Sequence, residues 1–150
     1  MIVADVNALV YAFRPETLFH KLANSALTAF RDQGSLIVLP DIATSFLRIV
    51  TDERLSATPD EPHTAFEFVD VLTARGRLLR EARVTRWQSL QSLSERVEMR
   101  GPLVPDALLA ATCLDFGASM LTADRDFLRF PGLRVRLMTP IGIVDHTVTL

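Results

Sequence analysis

Apolar positions along this chain follow two alternating rhythms. Short unbroken runs, such as Ile2-Val3-Ala4 and Leu36-Ile37-Val38-Leu39, have the length of strands buried on both faces. Longer stretches place apolar residues three and four apart, as helices with one inward face do. Strands are predicted at 2–4, 36–39, 119–121 and 133–137, with a weak edge strand around Leu78 and Leu79. A helix or turn starts at 9–13 and is interrupted by Pro15. Further helices are predicted at 19–33, 42–50, 63–74, 85–97 and 106–116. Their inward faces carry Leu22, Ala26, Leu27 and Phe30, then Phe66, Val69 and Leu72, then Trp87, Leu90 and Leu93. Gly34 and Gly117 stand where helices stop, and Pro40 closes the second strand. Asp41 occupies the N-cap position of the helix at 42–50, and Asp106 opens the last helix after a loop at 102–105.

Strands separated by helices of ten or more residues pair in parallel through right-handed crossovers. The expected architecture is a three-layer α/β/α domain spanning 1–150, with no repeat, low-complexity segment or linker. Such sheets bind ligands at the carboxyl ends of their strands, where strand order reverses.

Composition narrows the class. With 49% hydrophobic and 23% charged residues, disorder is excluded. The lone Cys113 rules out an internal disulfide and, inside an apolar run, reads as a small buried hydrophobe. No apolar run approaches the ~20 residues that span a bilayer. The start lacks the basic region and cleavage site of a signal peptide, so a cytoplasmic location is expected. A net charge of −2 excludes binding of polyanions by bulk charge. Lys21 is the only lysine among 16 basic residues. Arginine suits phosphate, although a GC-rich genome produces the same bias.

Asp5 directly follows the first strand, Asp106 opens a helix, and Asp124 and Asp126 follow the strand at 119–121. All fall at or beside the same predicted rim. Clustered carboxylates repel, and one would take a proton unless a cation intervenes. Hard oxygen ligands suit Mg²⁺ or Mn²⁺, which orients water and neutralises charge on a phosphoryl oxygen. The implied reaction is phosphodiester hydrolysis. Asp106 also has a plain structural reading as a cap, and Asp124 and Asp126 as turn residues; Asp5, directly after a buried strand, needs a partner or water, and Asn7 is placed to fix a turn or bind a water ligand.

Four ordered segments resemble the VapC-type PIN-domain ribonucleases. They are the opening Ile-Val-Ala-Asp5-Val-Asn7, then Phe46-Leu47-Arg48-Ile49-Val50-Thr51, then Pro105-Asp106-Ala107-Leu108, and finally Leu121-Thr122-Ala123-Asp124-Arg125-Asp126-Phe127. The resemblance implies a mostly parallel five-stranded sheet flanked by helices. It implies Mg²⁺- or Mn²⁺-dependent endoribonuclease action on tRNA or rRNA, inhibiting translation. It also implies a toxin neutralised by a VapB antitoxin, whose C-terminal segment enters the groove, and a homodimer. By position, Asp5, Asp106 and Asp124 take the acidic roles, Asp126 is a fourth candidate, and Asn7 and Thr122 are polar supports. Most PIN domains carry a glutamate just before the second segment, where this chain has Ser45. Asp41, one helical turn earlier, is a candidate replacement.

Arg125 and Arg129 flank the acidic loop and are candidate phosphate contacts, with Arg14 and Arg48 weaker ones. His20, His63 and His146 show no ligand spacing. Ser45 leaves open a catalytically weak domain that mainly binds antitoxin or RNA. A phosphoacceptor receiver domain would want paired early acids and a late lysine, which are missing here. A DNA-directed PIN nuclease would need insertions for which 150 residues leave little room.

Overall fold

A computed structural model describes residues 1–55, 58–74, 77–78 and 84–149. Six strands form one sheet in the order β3-β2-β1-β4-β5-β6. They are β1 (Ile2–Ala4), β2 (Leu36–Val38), β3 (Arg77–Leu78), β4 (Ser119–Thr122), β5 (Arg134–Thr139) and β6 (Gly142–Thr147). The first five run parallel, as expected from the helical crossovers between most of them. In the edge region expected around Leu78 and Leu79, β3 ends at Leu78, and Leu79 lies outside the described residues.

The antiparallel sixth strand is absent from the sequence-based expectation. Its signal is local: Thr139-Pro140-Ile141-Gly142 is a tight turn, with Thr139 paired to Gly142. Gly142 has φ 126°, a conformation that side-chain-bearing residues rarely adopt.

Six helices complete the chain: α1 (Val6–Phe13), α2 (His20–Asp32), α3 (Pro40–Thr51), α4 (Pro62–Thr73), α5 (Val84–Ser94) and α6 (Leu103–Phe116). α1, α2, α3 and α4 pack among themselves, while α5 packs on α6 and α6 on the 3₁₀ turn Arg125–Arg129. Chain direction explains the two groups. β1 to β2 to β3 moves one way across the sheet, and β3 to β4, the connection that carries α5 and α6, moves back the other way, so right-handed crossovers put the groups on opposite faces. Strand order therefore reverses between β1 and β4, which places the switch point where the candidate acids lie.

The core is built from fully buried Val3, Leu9, Leu27, Leu36, Ile37, Phe46, Met120, Leu121 and Phe127, among others. Phe13, Phe46 and Phe68 form an aromatic trio with ring centres 5.2–5.3 Å apart. Phe66, expected inward, is 55% exposed. On α4 the inward positions are Ala65, Phe68, Val69 and Leu72, so the stripe is rotated from the expected one. Trp87, also expected inward, is exposed, whereas Leu90 and Leu93 are buried as expected.

Three helices start two or more residues earlier than the apolar periodicity suggests. α1 begins at Val6 rather than Leu9. α3 begins at Pro40, with Leu39 as its N-cap, so Asp41 is a first-turn residue and not the cap. α6 begins at Leu103, so 102–105 is not a loop and Asp106 is the fourth helical residue. In α3 and α6 the reason is shared: proline is tolerated in a first turn, where backbone N–H groups lack intrahelical acceptors anyway. The stops at Gly34 and Gly117 are as expected, both with left-handed φ (64° and 57°). At Gly117, the N–H groups of Gly117 and Ala118 return to Leu114 and Cys113 carbonyls and close the last turn of α6.

Candidate active site

β1 and β4 are adjacent, with Ala4 opposite Leu121. The next residue on each chain is therefore Asp5 on one side and Thr122 on the other. Asp5 is the N-cap of α1. One carboxylate oxygen accepts the Val6 N–H at 2.6 Å, and the other accepts the Asn7 Nδ2 at 2.6 Å and the Thr122 hydroxyl at 2.7 Å. Thr122 Oγ1 is a hub. It donates to Asp5 and accepts from Asn7 Nδ2 (3.1 Å) and from the Asp124 N–H (3.0 Å). Asn7 Oδ1 accepts the Ala123 N–H at 3.1 Å, tying α1 to the segment after β4. Asp124 caps the 3₁₀ turn by accepting the Asp126 N–H at 2.8 Å.

Capping is thus the local reason for Asp5 and Asp124, not for Asp106. Asp5 follows β1 directly and Asp124 follows β4 after Ala123 alone, so each cap sits just past a strand end, where the free N–H groups of the following turn fix the carboxylate. The sequence signal was present: Asp124 lies two residues before Asp126, the spacing of an Asx turn.

Asp5 is buried, and burial raises its carboxyl above the ordinary range against the hydrogen bonds from Thr122, Val6 and Asn7; the charge of Asp124 adds to the rise. Asp106, in the first turn of α6, accepts no hydrogen bond among the described residues. Its carboxyl is pushed up to about 6, first by burial and then by the charges of Asp124, Asp5 and Asp126. Asp106 therefore feels acids from both ends of the chain, and Asp5 feels Asp124. Asp41 is exposed, and its charge is not among those raising Asp5 or Asp106.

The fit to a cation rests on this mutual repulsion. A divalent ion removes it, and carboxylate oxygens are the donors that hard cations take. Among the described residues no three His, Cys, Asp or Glu side chains already converge on one point. Beneath the carboxylates, Cys113 is fully buried and its thiol is pushed up to about 12 by burial and the Asp5 charge, which keeps it inert.

The arginines separate. Arg14 bonds the Val50 carbonyl and Asp60, both at 3.1 Å, and so braces α1 against α3 and the segment before α4. Arg129 pairs with Asp126 at 3.1 Å on an exposed surface. Arg48 is exposed on α3. Arg125 is exposed, and no hydrogen bond or ion pair engages its guanidinium among the described residues. His20 Nδ1 lies 3.1 Å from the Tyr11 carbonyl, His63 is exposed and His146 sits on β6, so the three histidines share no site.

An α/β fold with charge-coupled carboxylates at its switch point defines a class of proteins that gather acids for cation-assisted chemistry. The PIN-domain family profile matches residues 2–133. Ribonuclease VapC43 of Mycobacterium tuberculosis is 36% identical over 91% of this chain and 94% of its own length. Ribonuclease VapC48 of the same organism is 33% identical over 88% and 93%. The crystal structure of VapBC2 from Rickettsia felis, bound to a DNA fragment from their promoter, superposes with a TM-score of 0.67. That match, at 16% identity, covers 90% of this chain and 97% of that one. The chain belongs to the PIN-domain family, among its VapC ribonucleases.

Proposed function

We propose that this chain, acting as a single domain, is the endoribonuclease toxin of a VapBC-type pair. It hydrolyses phosphodiester bonds in tRNA or rRNA, inhibits translation, and is neutralised by a VapB-type antitoxin. The observation that carries this reading is that Asp5, Asp124 and Asp126, just past the carboxyl ends of β1 and β4, lie near enough for their charges to raise Asp106 on α6, in a PIN fold. The relatives' names supply the reaction class.

Asp5, Asp106 and Asp124 are assigned to Mg²⁺ or Mn²⁺, with Asp126 as a further ligand. When bound, such an ion supplies Lewis acidity toward the phosphoryl oxygen and a lowered pKa for the attacking water. Thr122 and Asn7 hold Asp5 in one orientation, so the carboxylate need not be ordered on binding. Asp106, with no hydrogen bond of its own, is the acid that adjusts. Arg125 and Arg129 are assigned to RNA phosphates, Arg129 once it leaves Asp126. A homodimer and a cytoplasmic location accompany this reading; no helix among the described residues is long and apolar enough to cross a membrane.

Purified protein freed of antitoxin, incubated with total RNA, Mg²⁺ and an EDTA control, tests the proposal. Discrete cuts that vanish with EDTA are expected. Ser45, in place of the usual glutamate, favours one alternative: a domain that binds antitoxin or RNA and cleaves weakly. Tight RNA binding without discrete cuts would decide for it.

A further inference from the structure

The hairpin joining β5 and β6 turns at the same rim as the acids, because β5 is parallel to β1 and β4. Between this hairpin and the 3₁₀ turn lies a groove of about 430 Å³. Its apolar walls are Leu128, Leu137, Pro140, Ile141 and Val144, and its polar groups are Arg125, Thr139 and His146, with no acid in the lining. Arg125 follows Asp124, whose N–H is bonded to the same Thr122 hydroxyl that holds Asp5. The groove therefore starts one residue from the acid network.

Two features lack a structural reason. Ile141 is 92% exposed at a tight turn, where a polar residue would be cheaper. The Arg125 guanidinium has no partner among the described residues, although Asp126 lies beside it in sequence and pairs with Arg129 instead. An unpaired arginine above an apolar bed fits a ligand with one phosphate and one flat, weakly polar ring. Moreover, β5 and β6 both lie beyond residues 2–133, so the groove is partly built outside the region that the PIN-domain profile matches.

We propose that this groove is a nucleotide subsite: it receives one nucleotide of the RNA strand next to the bond cut at the acids, with the phosphate on Arg125 and the base against Leu128, Ile141 and Val144. The inference rests on the ribonuclease reading above. The subsite makes cleavage depend on the nucleotide flanking the cut. It follows that chemistry and flanking recognition are carried by different residues, the acids for one and the hairpin for the other.

The test uses the full chain. Cleavage of total tRNA with Mg²⁺ is compared for wild type, Ile141→Asp and Arg125→Ala, the last two at exposed positions where folding is little affected. Separately, an Asp106→Asn protein is crosslinked by near-UV light to mixed-sequence RNA oligonucleotides carrying one 4-thiouridine. The expected results are a KM raised about tenfold by Ile141→Asp with kcat little changed, a similar weakening by Arg125→Ala, and crosslinks on residues 139–146. Unchanged KM in both variants, with crosslinks elsewhere, overturns the subsite and leaves the ribonuclease reading standing. Groove crosslinks and RNA binding without any wild-type cleavage do the reverse. Neither binding nor cleavage removes both. Protection of 139–146 from hydrogen exchange that grows with protein concentration, without RNA, assigns the groove to a second copy and overturns the subsite.

Discussion

The two sides of the acid cluster are built in opposite ways. On the β1–β4 side, Asp5 is buried and held by Val6, Asn7 and Thr122, and Asp124 is locked as a cap. On the α6 side, Asp106 has no hydrogen bond among the described residues and feels chiefly burial and its neighbours' charges. One side is organised by the fold before any ligand arrives. The other is left strained by repulsion, which a cation relieves. Pre-organisation and responsiveness are thus divided between two elements that meet only in the tertiary structure.

Removing either acid is expected to abolish Mg²⁺-dependent RNA cleavage and to relieve growth arrest, yet the two losses should differ in stability. Asp5→Ala leaves the Val6 N–H, Asn7 and Thr122 without their acceptor and is expected to cost about 1–3 kcal/mol. Asp106→Asn loses activity without that cost and should melt above wild type in metal-free buffer at neutral pH. Equal Tm changes for the two would remove the contrast between the sides.

Thr122→Val comes next. It takes away the hub while keeping the shape, and should weaken Mg²⁺ affinity by about tenfold or more while the protein remains folded. Mg²⁺ titration followed by calorimetry reads this directly, and a wild-type affinity would show that Asp5 does not depend on its support.

Acidity separates the sides further. With its folded value near 6 against an ordinary 3.8, Asp106 binds more protons folded than unfolded between those values. Metal-free stability should therefore fall as pH rises from about 4 through 6, and Asp5 acts with the same sign. Cation binding needs the ionised form, so the rise in Tm given by Mg²⁺ should be small at pH 5 and grow through pH 6 to 7. The same growth in Asp106→Asn would locate the titration elsewhere.

The smallest effect is expected at Asp41. It is exposed in the first turn of α3 and lies outside the charges felt by Asp5 and Asp106. Asp41→Asn should leave cleavage within about twofold, the size of a screened helix-end charge. A larger loss would restore Asp41 as stand-in for the carboxylate missing at Ser45.

Much of this was legible in the sequence because it is written in local pattern. Buried strands read as apolar runs, Gly34 and Gly117 marked helix stops, and Asp5, Asp106 and Asp124 stood out by position. Where the expectation failed, a local rule had a competitor. Pro40 and Pro105 suggested boundaries but lie inside first turns. Phe66 and Trp87 suited an apolar stripe, yet both are exposed: on α4 Ala65 and Phe68 face inward instead of Phe66, and on α5 only Leu90 and Leu93 of the expected three are buried. β6 is a half-exposed edge strand with a weak apolar signal, and it was missed for that reason.

By itself, then, the sequence determined the alternation of strands and helices, and with it the parallel sheet and the rim on which acids would gather; the order of the strands, with its reversal between β1 and β4, came from the structure. Only the tertiary structure decided what each acid experiences there. Thr122 is 117 residues from Asp5, and the charges that push Asp106 up to about 6 come from both ends of the chain. Hydrogen bonds and electrostatic fields depend on distance in space, and no local pattern of residues encodes them.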